Sequence, residues 1–94
     1  MNEPLAPDVA TKLIKVLIRD GSVGWSDHFT KELAKDNLSI GDCLNVLRAG
    51  AVFEPADFER GTWRYRVHTN RICVVVAFRS DTELTLVTTW RKRR

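Results

Sequence analysis

Two histidines and a row of arginines are the side chains in this sequence best suited to chemistry. His28 follows Ser26 and Asp27, and "TWRYRVHTNRICVVVAF" sets Arg64, Arg66 and His68 alternately against Trp63, Tyr65 and Val67. Arg79 stands at the end of the apolar run that follows. Imidazole is the side chain that exchanges a proton near neutral pH, and a guanidinium grips phosphate oxygens through paired N–H groups. Such a set suits one reaction in particular. In metal-independent RNA cleavage the ribose 2′-OH is the nucleophile, so a protein need only supply a base, an acid and cations for the charge crowded on phosphorus.

Each of these residues also has a structural reading. His28 can cap or pack at a helix start. The basic row can be a solvated face paired with Asp57, Glu59 or Glu83, and exposed pairs of that kind add little stability. Arg79 either clamps a phosphate or pairs with Asp81. Trp25 and Trp90 read as core or core-edge residues rather than stacking platforms.

Other chemistries lack their signatures. The sequence has no glycine-rich phosphate loop, no nucleophile elbow, no obvious pair of catalytic carboxylates and no His-Glu-x-x-His. Cys43 and Cys73 lie inside apolar patterns and read as buried free thiols. With His28 and His68 they lack the close spacing of a zinc site, so neither a metal nor another cofactor is expected. No stretch reaches the roughly 20 apolar residues of a membrane span, and the polar start has no signal-peptide core, which points to a soluble, cytoplasmic protein without membrane contact.

The elements that must position these residues follow from the pattern. A chain of 94 residues, 44% of them apolar, makes a single domain with one core. Asp8 is placed to cap a helix through "VATKLIKVLIRD", where Val9, Leu13, Val16 and Leu17 recur at helical spacing and Ile14 and Ile18 widen the stripe. "GSVGW" reads as a turn. A second helix follows from about His28 to Lys35, with Phe29 and Leu33 on one face, and a third from Ile40 to Arg48, entered through Ser39 and Asp42 and ended by Gly50.

Past Gly50 the period falls to two. "AVFEPADFE" is a ragged strand that Pro55 confines to an edge or bulge. "TWRYRVHT", "RICVVVAFR" and "ELTLVTTWR" form an antiparallel meander whose middle strand is apolar on both faces and therefore central. The expected fold is α+β, with two or three N-terminal helices on one face of a four-stranded, mainly antiparallel sheet. It occupies residues 1–94, with 1–7 and 92–94 flexible.

Lys and Arg number 15 against 12 Asp and Glu, a net charge of only +3. The surplus gathers in the second half, at Arg60, Arg64, Arg66, Arg71, Arg79 and the ending "WRKRR". That asymmetry favours a polyanionic partner. Arg71, Arg91, Lys92 and Arg93 are the residues that would add electrostatic contacts to RNA.

In the order "KLIKVLIRDGSV", "SDHFTKELAKDNLSIGDCLNVLRAG", "WRYRV" and "VVVAFRSDTELTLVTTWR", the chain resembles the small toxins of the RelE superfamily. It is nearest in look to the MqsR-like and BrnT-like branch, and to a related domain family with a Ser-x-His helix entry and a final Val-Thr strand. The resemblance covers about Lys12 to Arg91. It implies a RelE-like fold and a metal-free endoribonuclease that cuts mRNA, free or on the ribosome, and is neutralised by a cognate antitoxin protein. It also implies that His28 fills the histidine position at the helix entry, Arg64 and Arg66 the basic strand positions, and Thr88 the hydroxyl of the closing strand. Where such toxins often carry an Arg near the end of the histidine helix, this chain has Lys35 and Asp36. Beyond Tyr65 it has no counterpart of the Tyr or Lys pair used in some relatives. A non-catalytic RNA- or protein-binding module on the same face is the alternative expectation.

Overall fold

The computed structural model describes residues 1–93. Its first helix, α1 (Pro7–Asp20), opens with Pro7, whose missing N–H costs nothing in the first turn. Ala6 takes the cap position, and Asp8 lies in the first turn, where its charge faces the positive helix end. The buried stripe is Ala10, Ile14 and Leu17, flanked by Leu13 and Ile18. Val9 and Val16, expected in that stripe, are 48% and 41% exposed. The apolar band of α1 is wider than the face it buries, and packing against α3 and the sheet selects the Ala10 side.

The turn expected at "GSVGW" is a strand, β1 (Ser22–Trp25). After it come α2 (Asp27–Lys35) and α3 (Ile40–Ala49). Ser26 caps α2 by accepting from the backbone N–H of Phe29. Ser39 and Asp42 cap α3 reciprocally, each side chain taking the other's backbone N–H at 3.0 and 2.9 Å.

The sheet continues with β2 (Ala51–Val52), β3 (Asp57–Glu59), β4 (Thr62–His68), β5 (Ile72–Phe78) and β6 (Glu83–Arg91). Its order is β1-β6-β5-β4-β2, with β3 paired to the other end of β4. The α+β class is as expected, but the sheet has six strands rather than four. One extra strand arises because the ragged segment around Pro55 splits into β2 and β3, both along one edge of β4. The other is β1, which pairs parallel with β6 from Ser22↔Glu83 to Trp25↔Leu86. Where β1 ends, α2 continues along β6: Thr88 donates to Glu32 at 3.3 Å and the Arg91 backbone N–H donates to Asp36 at 2.6 Å.

β5 lies in the middle of the sheet, and Cys73 to Phe78 are all buried. Tyr65, Val67, Val74, Val76, Leu84 and Leu86 face the helices and join Ile14, Leu17, Phe29, Leu33, Cys43, Val46 and Leu47 in one core. The Tyr65 hydroxyl donates to Glu3 at 2.9 Å and accepts the Leu5 N–H at 2.9 Å, which ties residues before α1 to the core. Cys43 and Cys73 are buried free thiols.

One irregularity sets the opposite face. Val75 pairs with Thr88 and Val76 with Leu86, so Val87 is an extra residue bulged out of β6. Up to Leu86 the odd-numbered residues of β6 face away from the helices; beyond the bulge Thr88 and Trp90 do so, beside Val75 and Cys73, while Thr89 turns inward to donate to the Cys73 carbonyl at 2.9 Å. No helix is long and apolar enough to cross a membrane among the described residues.

Candidate functional site

Strand alternation puts Arg64, Arg66 and His68 on the side of β4 away from the helices, since Tyr65 and Val67 are buried in the core. The row therefore occupies the open face of the sheet, as its pattern predicts. Opposite its start, α2 begins at the edge of β6 and brings His28 to the rim of the same face. Between them lies a cleft of about 760 Å³, lined by His28, Arg60, Arg64, Arg79, Thr85 and Thr88 among others. Ala77 and Leu86 are also in its lining, which gives it an apolar component.

Of the residues singled out in the sequence, His28, Arg64, Arg79 and Thr88 are brought together in this cleft. Arg66 is next to it, in a smaller hollow that shares Glu59, Arg64 and Thr88 with the cleft and adds Asp57, Val75 and Trp90. Arg66 is paired with Asp57 at 2.7 Å, and Arg64 lies 3.6 Å from Glu59. Those are the pairings a structural reading expects. The Arg64 Nε is buried without a hydrogen-bond partner among the described residues. Arg79 is exposed at the end of β5, and no ion pair to Asp81 forms among the described residues.

His68 is not in the cleft. It lies four residues along β4 from Arg64, about 13 Å away, and its Nε2 meets Glu54 at 2.7 Å. Its ring is stacked beside Phe53, with centroids 6.2 Å apart. The two histidines therefore belong to different neighbourhoods.

The four remaining basic residues also lie elsewhere. Arg71 borders a hollow with Asp42, Asn45 and Asn70 beyond the β4–β5 turn. The Arg91 guanidinium donates to the carbonyls of Asp36 and Asn37 at 3.3 Å each, satisfying the end of α2. Lys92 donates to the Thr69 carbonyl at 2.7 Å, and Arg93 lies 3.6 Å from Asp36. Arg94 is outside the described residues. These contacts tie the last strand to α2 and to the β4–β5 turn.

Sequence reasoning overlooked Glu32. It sits one turn after His28 on α2, the spacing at which side chains share a helix face, and reads in the sequence as an ordinary surface carboxylate. In the fold it accepts from Thr88 and pairs with Lys35 at 2.7 Å. The hydrogen bond from Lys35 holds its carboxyl below the usual range against partial burial, helped by the charges of Lys35 and His28 and by the Thr88 hydroxyl. A carboxylate so placed stays ionised at neutral pH.

Fold and face together describe a small α+β domain with a partly basic cleft on the open side of its sheet. Residues 25–91 match a domain of unknown function, DUF4258, and the chain belongs to that family. The match runs from the end of β1 through β6 and so includes every cleft residue named above. No curated protein and no solved structure matches the chain.

Proposed function

We propose that this protein is a metal-independent endoribonuclease of the RelE-like toxin kind, cutting mRNA and held in check by a cognate antitoxin protein. The observation that carries the reading is the convergence of His28 from α2, Arg64 from β4, Arg79 from the β5–β6 turn and Thr88 from β6 on one cleft. In the proposed reaction the neutral imidazole of His28 takes the proton of a ribose 2′-OH as O2′ bonds to the adjacent phosphorus. The P–O5′ bond breaks, and O5′ takes a proton from water in the open cleft. The products are a 2′,3′-cyclic phosphate and a 5′-hydroxyl. Arg64 and Arg79 neutralise the charge on the non-bridging oxygens, and Glu32 stabilises the imidazolium once it forms. Thr88 holds the Glu32 carboxylate in place.

The test is incubation of the purified protein with mixed RNA in the presence of a chelator, with and without ribosomes. The expected outcome is fragments ending in cyclic phosphate, lost with His28→Ala and slowed on the order of a hundredfold with Arg64→Ala or Arg79→Ala. Glu32→Gln should lower kcat with little change in KM. Intact RNA under both conditions sinks the enzyme reading.

One observation favours a second reading. Only one of the two histidines reaches the cleft, so the pair does not assemble there as base and acid. A binding module for RNA or protein on the same face needs no such pair, and it predicts RNA binding that His28→Ala leaves uncoupled from any cleavage.

A further inference from the structure

Trp90 is a large aromatic side chain that the core does not use. Trp63 shares the phase of Tyr65 and is partly buried against the core, and Trp25, though 45% exposed, pairs with Leu86 at the sheet edge and lines neither the cleft nor the hollow beside it. Trp90, by contrast, is turned to the open face by the bulge at Val87 and remains 38% exposed there. Its cross-strand neighbour is Cys73, fully buried, and two residues back along β6 stands Thr88 of the cleft, about 7 Å away. The hollow it borders is small, about 130 Å³, with Val75 between a wall of Asp57, Glu59, Arg64 and Arg66 and a wall of Thr88 and Trp90. Because Glu59, Arg64 and Thr88 line both spaces, the hollow prolongs the cleft as one groove across the sheet.

An exposed indole facing a guanidinium across an apolar floor has the chemistry of a site for a flat heteroaromatic ring. The ring stacks on the indole, and its polar edge meets the donors of Arg66 and the acceptors of Asp57. Paired bases cannot enter such a site, because their faces are already stacked and their edges engaged. We propose that Trp90 is a nucleobase subsite, and that the groove takes an unpaired, extended strand whose phosphate sits at Arg64 and Arg79 while a neighbouring base stacks on Trp90. This deepens the nuclease reading and rests on its assignment of the cleft to RNA, but it concerns binding and not cleavage.

The test uses a 2′-O-methyl RNA hexamer, which binds but lacks the nucleophile. Affinity is read from the anisotropy of a fluorophore carried by this strand, by the same strand made abasic, or by its duplex, with intrinsic tryptophan quenching followed alongside in the wild type. The wild-type protein should show strong quenching by the single strand, with the abasic strand and the duplex each binding about tenfold more weakly. Trp90→Leu should bind the intact strand about tenfold more weakly and no longer distinguish it from the abasic one. Trp90→Phe, which keeps a stacking ring, should restore most of the affinity and guards against loss of fold as the explanation. Equal affinity of wild type and Trp90→Leu for the intact strand overturns the proposal, as does a duplex bound as tightly as the single strand. Absence of any binding also overturns it and would leave the groove to a protein partner. Failure of the nuclease reading looks different: natural RNA stays uncut while the binding and its dependence on Trp90 persist.

Discussion

Tyr65 is the one tyrosine of the chain, and its ring is fully buried against Phe78 while its hydroxyl is held by Glu3 and Leu5. Burial pushes its pKa up to about 12, with Glu3 acting in the same direction and the Leu5 N–H opposing it. The raised value belongs to the folded state, so the contribution to stability is complete below the unfolded pKa near 10 and is lost as pH rises from about 10 through 12. Stability should fall over that interval by up to roughly 1.4 kcal/mol per pH unit. Cys73, raised to about 11 by desolvation, adds a fall that begins near pH 9. Tyrosinate absorbance isolates the tyrosine: the native protein should titrate near 12 and the urea-unfolded chain near 10. A native midpoint near 10 would mean that the hydroxyl is open to solvent and residues 3–5 are not docked on it.

At the level of elements, the junction between α3 and β2 leaves no room for a side chain at Gly50. A Cβ on Gly50 would fall 2.5 Å from the His68 carbonyl oxygen and 2.8 Å from that of Val46, both backbone atoms with little freedom to retreat. Gly50→Ala should therefore destabilise the fold by roughly 1–3 kcal/mol in urea denaturation, and it should disturb the pairing of Ala51 with His68. Much of this architecture was legible from the chain. The capping pair Ser39 and Asp42, the three long strands and the basic row on the open face all follow from local pattern, because each is decided within a few residues. β1 was not legible: four residues, one of them Gly24, carry too little apolar signal to define a strand, and what makes them one is β6, sixty-one positions later. The bulge was equally hidden, since "ELTLVTTWR" alternates on paper and only pairing with β5 reveals the extra residue. Glu32 went unseen because Thr88, which donates to it, reaches it only in the folded chain.

At the scale of the molecule, the two sides of the sheet do different work. The helix side holds the core, and the open side spreads its basic groups among acidic ones, which suits a chain whose net charge is only +3. Affinity for single-stranded RNA should therefore depend modestly on salt. If Arg64 and Arg79 are the phosphate contacts, a plot of log K against log salt should have a slope of about −1.4, from roughly 0.7 per contact. Asp57→Asn, which frees Arg66 from its 2.7 Å ion pair and keeps an amide oxygen as acceptor, should add a third free cation and steepen that slope to about −2. A slope near zero would remove the open face from RNA recognition altogether. The alternation of β6 beyond the bulge gives this division of labour an evolutionary edge. One strand serves core and groove at once, so a one-residue deletion at Thr89 would turn Trp90 to the helix side in a single step, whereas deletion of the bulged Val87 would restore regular alternation and leave Thr88 and Trp90 facing the groove. Within the family, the length of this strand beyond the bulge should be held more strictly than the presence of the bulge itself.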